Sequence, residues 1–282
     1  MINTQSLRNF RVVLPTAQGS IHESAAVAFF GFGNMDLTYT NSFTDACVVL
    51  ASNRADYALM AVQNTTAGYL AANYKLIVEH NLWIYDEITL PVQFGLWGLP
   101  GSRLEEIRKI VSHPVALRQC RRFLNTMPHV LSEEGGDTAL CCFTLAKSEQ
   151  RSLAVIATQR TAELYGLHTL ASGIQDEPEN YTRFLVLAKG ATLAARLKLF
   201  TVHGQLLVAP ETLRKELEEK QLQAEVVCTA NNLAVVECRS VHEISYHEIS
   251  ELLGKYITVS RLLGAGIRKS PSQFLTHSAL LS

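Results

Sequence analysis

Short apolar runs alternate with stretches of helical periodicity between residues 10 and 188, and this alternation constrains the fold more than any other feature of the sequence. Runs such as Tyr57–Val62 and Leu153–Ala157 are apolar throughout, which predicts strands buried on both faces. Segments such as Ser42–Ala51 place apolar residues at helical spacing instead. The alternation predicts an α/β fold with largely parallel sheets. Two sheets with a cleft between them are favoured over one long sheet.

Composition narrows the class of protein. The chain has 282 residues, 48% of them hydrophobic, so it can bury a large core. A formal net charge of −1 argues against a nucleic-acid surface or a polybasic membrane patch. No apolar run approaches the roughly 20 residues of a membrane helix, and the start has no apolar signal core, so we expect a cytoplasmic protein. The six cysteines have no metal-ligand spacing and are interpreted as reduced packing residues, so no metal is expected.

Polar residues cluster where predicted strands end. Ser20 and Glu23 form a capping-box pattern before a helix, and Gln63-Asn64-Thr65-Thr66-Ala67-Gly68 follows a buried strand directly. Helix starts suit carboxylates or phosphates, and polar groups at strand ends are where open α/β sheets bind ligands. A plain connection at Ser20 and an ordinary cap on the helix 71–79 are the alternatives. Ser112 similarly precedes a predicted helix that begins after Pro114 and carries Gln119. The alternatives are that Ser112 is a plain helix cap and that the Gln119 side chain faces solvent.

The stretch Asn180-Tyr181-Thr182-Arg183-Phe184 lies where an acidic, proline-containing loop enters an apolar strand. Thr182 offers a hydroxyl that can donate and accept, and Arg183 offers a planar, permanently charged group suited to carboxylates. Taken alone, this stretch favours structural explanations, which are the β-branched shape of the Thr and a surface ion pair for the Arg.

The last part of the chain has a different pattern. After a boundary near residues 190–195, the sequence predicts strand, helix, strand, strand, helix and strand, with a tight turn at Asn231-Asn232. The order βαββαβ is that of a ferredoxin-like domain.

Six segments together resemble the catalytic domain of prephenate dehydratases. They are Gly19-Ser20 with Ser24-Ala25-Ala26, Gln63–Gly68, Ser112-His113-Pro114-Val115-Ala116-Leu117-Arg118-Gln119-Cys120, Asp137-Thr138-Ala139, Ala162–Leu167 and Asn180–Phe184. The resemblance implies a two-lobed, periplasmic-binding-protein-like domain with a cleft over residues 1–190. Lobe one would comprise residues 10–88 and 175–190, lobe two residues 89–174, and an ACT-like domain residues 196–270.

The resemblance also implies a function. Such enzymes convert prephenate into phenylpyruvate with loss of water and carbon dioxide, without a metal or organic cofactor. Thr182 would assist protonation of the leaving hydroxyl, and three further residues, Asn64, Ser112 and Gln119, would orient the substrate. The helix-end N–H groups at Ser20, Thr65 and Thr138 would hold the carboxylates. The remaining implied substrate-binding residues are Gln63, Gly68, Arg183 and Phe184.

Two departures from the family pattern leave alternatives open. Gln63 stands where the family usually carries Glu, and the ACT effector-loop signatures are missing, with His203-Gly204-Gln205 the nearest segment to the first. We therefore expect a degenerate ACT-like domain that dimerises, within a homodimer or homotetramer, and a weak or absent phenylalanine effect. The alternatives to prephenate turnover are a catalytically impaired binding or regulatory protein, a non-aromatising decarboxylase and an arogenate dehydratase. Retention of Thr182 argues against the non-aromatising decarboxylase.

Overall fold

A computed structural model describes residues 9–190, 197–230 and 233–266. The chain divides into two compact units. Unit one comprises Met1–Pro15, Ala28–Thr89 and Arg183–Ser282, and unit two comprises Thr16–Val27 and Leu90–Thr182. The C-terminal segment is thus grouped with the first part of the chain. The separate ACT-like domain stays a prediction. Outside the described residues lie 191–195 of its predicted boundary, residues 196 and 267–270 of the predicted domain, and the turn at Asn231-Asn232.

Strands and helices alternate through the part of the chain that was expected to be α/β. In chain order, the elements up to residue 190 are β1 (Phe10–Leu14), α1 (Ile21–Phe30), β2 (Met35–Tyr39), α2 (Phe43–Ala51), β3 (Tyr57–Asn64), β4 (Gly68–Tyr69), α3 (Ala71–Glu79), β5 (Trp83–Pro91), β6 (Gly95–Gly98), a 3₁₀ turn (Leu104–Glu106), β7 (Lys109–Ser112), α4 (Pro114–Gln119), α5 (Arg121–Asn125), β8 (Leu131–Glu134), α6 (Thr138–Ala146), β9 (Leu153–Ala157), α7 (Gln159–Leu164), β10 (His168–Ser172) and β11 (Tyr181–Ala188). The α/β class is therefore confirmed.

The C-terminal segment has the predicted βαββαβ order. Its elements are β12 (Leu197–Leu206), α8 (Pro210–Glu218), β13 (Leu222–Ala230), β14 (Leu233–Ile244), α9 (Tyr246–Leu253) and β15 (Ile257–Gly266). Strand β12 lies antiparallel to both β14 and β15, and β13 lies antiparallel to β14. Leu213 and Leu217 of α8 and Ile249 and Leu253 of α9 are buried in its core. Pro210 occupies the first turn of α8, where its missing N–H leaves no helical bond unmade.

Unit one has one continuous sheet among its described residues, with the strand order β13-β14-β12-β15-β5-β11-β3-β1-β2. Strand β1 is parallel to β2 and β3, as apolar strands connected by helices predict. The C-terminal strand β15 joins β5 in parallel at the pair Gly264 and Ile84. Val235 of β14 lies in the same buried cluster as Leu185 and Leu187 of β11. The βαββαβ segment therefore shares both a sheet and a core with unit one.

Unit two contains a second sheet, which is mixed rather than largely parallel. Within the described residues its order is β10-β6-β9-β7-β8. Strand β7 is parallel to β8 and β9, whereas β6 is antiparallel to β9 and β10. One buried cluster includes Leu96, Ile110 and Ile156 of this sheet. Ala116 of α4 and Cys120, the residue after α4, belong to the same cluster.

In residues 9–190, 197–230 and 233–266, no helix combines the length and apolar character needed to span a bilayer.

Candidate active site

Thr182 is the second residue of β11, and its side chain is largely buried, with 9% of the residue exposed. The residues that precede it are fixed by hydrogen bonds within unit two. The backbone N–H of Val92 donates to the carbonyl of Asn180 (2.7 Å), and Asn180 Nδ2 donates to Gln119 Oε1 (3.3 Å). Asn180 itself is only 1% exposed. Of the predicted catalytic residues, Gln119 is thus connected to the stretch that carries Thr182.

Asn180 was not singled out as a site residue from the sequence. The signal was its place at the head of the Asn180–Phe184 motif, but its partner Gln119 lies 61 positions earlier, so no local pattern could reveal the contact. Gln119 makes a second hydrogen bond through its backbone, since its backbone carbonyl accepts from the backbone N–H of Asp176 (2.6 Å). The predicted helix after Pro114 is divided at Cys120 into α4 and α5, which leaves Gln119 half-buried at the end of α4.

Ser112 has a different role from the predicted one. It is the last residue of β7 and is fully buried, and its Oγ donates to the carbonyl of Ile156 on β9 (2.6 Å). The prediction that Ser112 lines the substrate site is corrected, because a side chain without accessible surface cannot touch a ligand in this conformation. The alternative that Ser112 caps the helix is also wrong. His113 is the cap, and its Nδ1 accepts from the backbone N–H of Val115 (3.2 Å).

Ser20 lies at the start of α1, as predicted. Its Oγ is 2.7 Å from Thr16 Oγ1 and accepts from the backbone N–H of Glu23 (3.4 Å). The reciprocal bond of a capping box is displaced by one residue, because Glu23 Oε2 accepts from the N–H of Gly19 (2.7 Å) rather than from that of Ser20. Arg160 of α7 lies 3.5 Å from the other Glu23 oxygen. The start of α1 therefore already holds a buried carboxylate of its own.

Thr138 is the first residue of α6 and is half-buried. The cap is Asp137, whose Oδ1 accepts from the N–H of Ala139 (2.7 Å). In the loop before it, a Cβ on Gly135 would lie 2.6 Å from Cys141 Sγ, so the helix approaches the loop too closely for a side chain there. A cavity of about 180 Å³ borders this loop. Its lining is almost entirely apolar, which does not suit a dianionic substrate.

Asn64 organises a hairpin turn at the end of β3 in unit one. Its Oδ1 accepts from Thr66 N (3.0 Å), Thr66 Oγ1 (2.6 Å) and Ala67 N (3.1 Å). Gln63 pairs with Tyr69 across the hairpin, and Gly68 has a φ of +77°, which favours glycine. The prediction that Thr65 lies at a helix start is wrong. Thr65 is exposed in this turn, and α3 begins only at Ala71, without a side-chain cap.

Arg183 belongs to a buried charge cluster in unit one. Its guanidinium forms a bidentate pair with Glu237 of β14, at 2.7 Å and 2.9 Å, and Nε donates to Glu87 of β5. Tyr74 of α3 donates to Glu237 (2.6 Å), and Arg239 Nη1 donates to Glu87 (3.4 Å). We call these five residues the Arg183 cluster. The prediction that Arg183 contacts substrate is corrected, because its charge is already matched by two buried carboxylates.

Burial and charge act in opposite directions on this arginine. Burial alone lowers the pKa of Arg183, but the charges and hydrogen bonds of Glu237 and Glu87 outweigh it and raise the pKa above its ordinary value. The pKa of the Tyr74 hydroxyl is raised, chiefly by burial and then by the charge of Glu237. Both shifts favour a cationic Arg183 and a neutral Tyr74 near neutral pH.

Phe184, the next residue along β11, is fully buried in unit one. Its burial leaves no side-chain surface for direct contact with a ligand, and its role in shaping the wall behind Thr182 stays a prediction. The predicted residues with the most accessible surface are Thr182, Gln119 and Thr138 in unit two, and Gln63, Asn64, Thr65 and Gly68 in unit one. Hydroxyl and carboxamide groups of this kind can donate to carboxylates and accept from a hydroxyl. In the described ranges, no three His, Cys, Asp or Glu side chains are grouped to hold a metal ion.

Comparison with models of known protein families identifies the family of this chain. The model described as "Prephenate dehydratase" matches residues 16–192, which is more than half of the chain. The chain belongs to the prephenate dehydratase family. The match covers all six segments that carried the resemblance.

Two curated relatives come from plants. Arogenate dehydratase 1 of Petunia hybrida is 37% identical over 180 residues, which are 64% of this chain and 42% of the relative. The chloroplastic arogenate dehydratase/prephenate dehydratase 6 of Arabidopsis thaliana is 36% identical over 182 residues, 64% of this chain and 44% of the relative. The chain thus spans less than half the length of these relatives.

Solved structures share the fold at low identity. The prephenate dehydratase from Arthrobacter aurescens in complex with L-Phe is 22% identical, with a TM-score of 0.77 over 96% of this chain and 98% of that one. GqqA, described as a novel type of quorum-quenching acylase, is also 22% identical, with a TM-score of 0.76 over 93% of this chain and 99% of that one. The shared fold therefore extends through the C-terminal segment, and it does not by itself fix the reaction.

Proposed function

We propose that this protein is a prephenate dehydratase, which converts prephenate into phenylpyruvate. The observation that carries the proposal is the placement of Thr182 as the second residue of a buried strand, two positions after an Asn180 that is hydrogen-bonded to Gln119. The backbone is anchored on both sides of Thr182, so its hydroxyl can be held at a fixed position relative to a bound substrate. The family match over residues 16–192 supplies the reaction class.

The chemistry explains why so few groups are needed. Cleavage of the bond to the ring carboxylate releases carbon dioxide, and its electron pair completes the aromatic ring as the hydroxyl leaves. One proton is taken up so that the hydroxyl departs as water. The driving force therefore lies in the substrate, and the protein holds one conformer and supplies a proton donor at the leaving oxygen. A threonine is a weak acid, so Thr182 must act where water is excluded and where the developing charge is stabilised by neighbouring donors.

The roles of the other residues follow from where they lie. Gln119 is assigned to substrate orientation beside Thr182, and Gln63 and Asn64 offer carboxamides at the end of β3. Ser112 supports the site indirectly, since it joins the ends of β7 and β9. Backbone N–H groups at the starts of α1 and α6, near Ser20 and Thr138, stay proposed carboxylate contacts.

Arogenate is the second candidate substrate, because the plant relatives carry that name. Arogenate has an amine where prephenate has a side-chain ketone, so its product would be phenylalanine. We further propose that the βαββαβ segment is an ACT-like domain through which the protein dimerises, which its element order supports.

The decisive experiment offers both substrates to the purified protein. Phenylpyruvate is followed by its alkaline absorbance and phenylalanine by chromatography. The proposal expects turnover of prephenate that exceeds turnover of arogenate. Binding of prephenate without either product would instead favour a catalytically impaired binding protein.

Thr182→Ala tests the assigned proton donor. We expect a loss in kcat of about 10²–10⁴-fold, the usual contribution of a positioned acid. The unfolding temperature should change little, because only a hydroxyl and a methyl group are removed. Thr169→Ala on β10 is the matched control, since Thr169 is exposed in the same unit. Wild-type turnover by the Thr182 variant would remove this residue from the mechanism.

A further inference from the structure

Two consecutive residues of β11 have opposite environments. Thr182 and Arg183 are neighbours in a strand, so their side chains point to opposite faces. The Arg183 side chain is directed into the charge cluster with Glu87 and Glu237. The Arg183 and Thr182 side chains therefore lie on different faces of β11, and the backbone that they share connects them.

We propose that Arg183 is a positioning residue for Thr182, and that Glu237 from the C-terminal βαββαβ segment completes its anchorage. This inference rests on the proposed function for its kinetic readout. It assigns the C-terminal segment a direct part in the geometry of the site, because without Glu237 the bidentate partner of Arg183 is missing.

The burial of the cluster makes its geometry specific. Arg183, Glu87 and Glu237 are 5%, 1% and 2% exposed. Buried charges are tolerated only when they are paired and hydrogen-bonded, and here two arginines face two glutamates. The planar guanidinium accepts two carboxylates at fixed angles, which a flexible ammonium does not. A shift of β11 along its axis would break several of these bonds at once.

Four chain segments meet at the cluster. Glu87 lies on β5, Tyr74 on α3, Arg183 on β11 and Glu237 on β14. The chain passes from one unit to the other just after Glu87, between Thr89 and Leu90, and again between Thr182 and Arg183. Two of the four points at which the chain passes between the units therefore lie on strands that contribute to the cluster, β5 and β11, and one carboxylate of the cluster comes from the βαββαβ segment.

Glu237→Gln tests the inference. The amide keeps the size of the side chain but replaces one acceptor of the Arg183 fork with a donor. We expect kcat for the accepted substrate to fall about 10- to 100-fold, with KM within about threefold of wild type, because a displaced Thr182 impairs the chemical step more than binding. The matched control is Glu225→Gln in the same segment, which removes the charge of a half-exposed surface pair with Arg214 and should leave both constants unchanged.

A second variant covers the case in which Glu237→Gln does not fold. Tyr74→Phe removes only the hydroxyl that donates to Glu237 and accepts from Arg183. We expect a smaller fall in kcat with KM preserved. A folded Glu237→Gln protein with wild-type kcat, or an unchanged kcat in Tyr74→Phe when Glu237→Gln is unfolded, would overturn the inference.

Amide hydrogen exchange separates this inference from the proposed function. If wild type turns over neither substrate, the proposed function fails, and exchange decides alone. Glu237→Gln, or Tyr74→Phe in its place, should then speed exchange across Tyr181–Ala188 relative to Lys109–Ser112 of β7, and Glu225→Gln should not. Equal relative exchange in all variants would show that the cluster does not position β11.

Discussion

At the scale of single residues, the candidate site depends on which face of a strand each side chain occupies. Thr182 and Arg183 were both expected to meet substrate, but only one of two consecutive strand residues can face a given side. Ser112 and Phe184 are limited by burial instead, since both are fully buried.

Gln63 is the residue at which this chain departs from the family pattern. We expect Gln63→Glu to retain activity or to raise kcat/KM up to about tenfold, because a carboxylate keeps the acceptor and can tune a nearby proton. Steady-state kinetics on the accepted substrate measures this. Gln223→Glu, at an exposed position of β13, controls for the added charge. A collapse of activity in Gln63→Glu alone would show that the amide is specifically required.

His22 gives a pH-dependent prediction. It is buried in α1, and burial lowers its pKa from 6.5 to about 3. Between these values the unfolded chain binds a proton that the folded chain does not, so this residue lowers the free energy of unfolding by about 1.4 kcal/mol per pH unit as the pH falls. Above the unfolded pKa it has no such effect.

Chemical denaturation of His22→Gln from pH 7 to pH 4 measures the His22 contribution. Stability of the variant should fall less steeply with pH than that of wild type. His168→Gln, at an exposed position of β10, should follow the wild-type curve. Parallel curves for wild type and His22→Gln would contradict the assigned pKa.

At the scale of elements, apolar periodicity located strands and helices well, but it did not locate their ends. The helix expected after Pro114 is divided at Cys120, whose backbone has φ −119° and ψ 23°. The segment after Asn64 was interpreted as a helix cap, whereas Asn64 closes a hairpin through three bonds to its own side chain. Asx turns and helix caps use the same residue types, so sequence alone does not distinguish them.

The start of α9 carries a complete capping box. Ser245 Oγ accepts from Glu248 N (3.3 Å), and Glu248 Oε2 accepts from Ser245 N (2.7 Å). We expect Ser245→Ala to lower the free energy of unfolding by about 1 kcal/mol, because an orphan N–H loses its partner. Denaturant titration measures the change, with the exposed Ser132→Ala on β8 as control. A loss no larger than that of the control would mean that the cap contributes nothing.

At the scale of the whole molecule, the C-terminal segment is integrated with unit one. It extends the sheet through β15 and β5, and it contributes Val235 to the core and Glu237 to the Arg183 cluster. The predicted order of its elements was confirmed. The core that it shares with the rest of unit one was not predicted, because the sequence indicated only a boundary near residue 190. Deletion of this segment would remove Glu237, the bidentate partner of Arg183, and leave its carboxylate contact with Glu87 of β5.

Phenylalanine should have little effect on the activity of this protein. The effector-loop signatures are missing, and the nearest segment contains Gly204, where a Cβ would lie 2.2 Å from the carbonyl oxygen of Thr258. We expect less than about a twofold change in rate at millimolar L-phenylalanine, since an effector without differential affinity shifts no equilibrium. D-phenylalanine is the control ligand. A low-micromolar inhibition constant for the L-isomer would contradict this prediction.

The sequence by itself determined the α/β alternation, the βαββαβ order and the motif that carries Thr182, because periodicity, caps and motifs are local properties of the chain. Tertiary structure alone decided that Arg183 faces Glu87 and Glu237, which are 96 and 54 positions away, and that Asn180 meets Gln119. These contacts depend on strand order and on the face that each strand buries. Both are set by packing over the whole chain, so no window of sequence contains them.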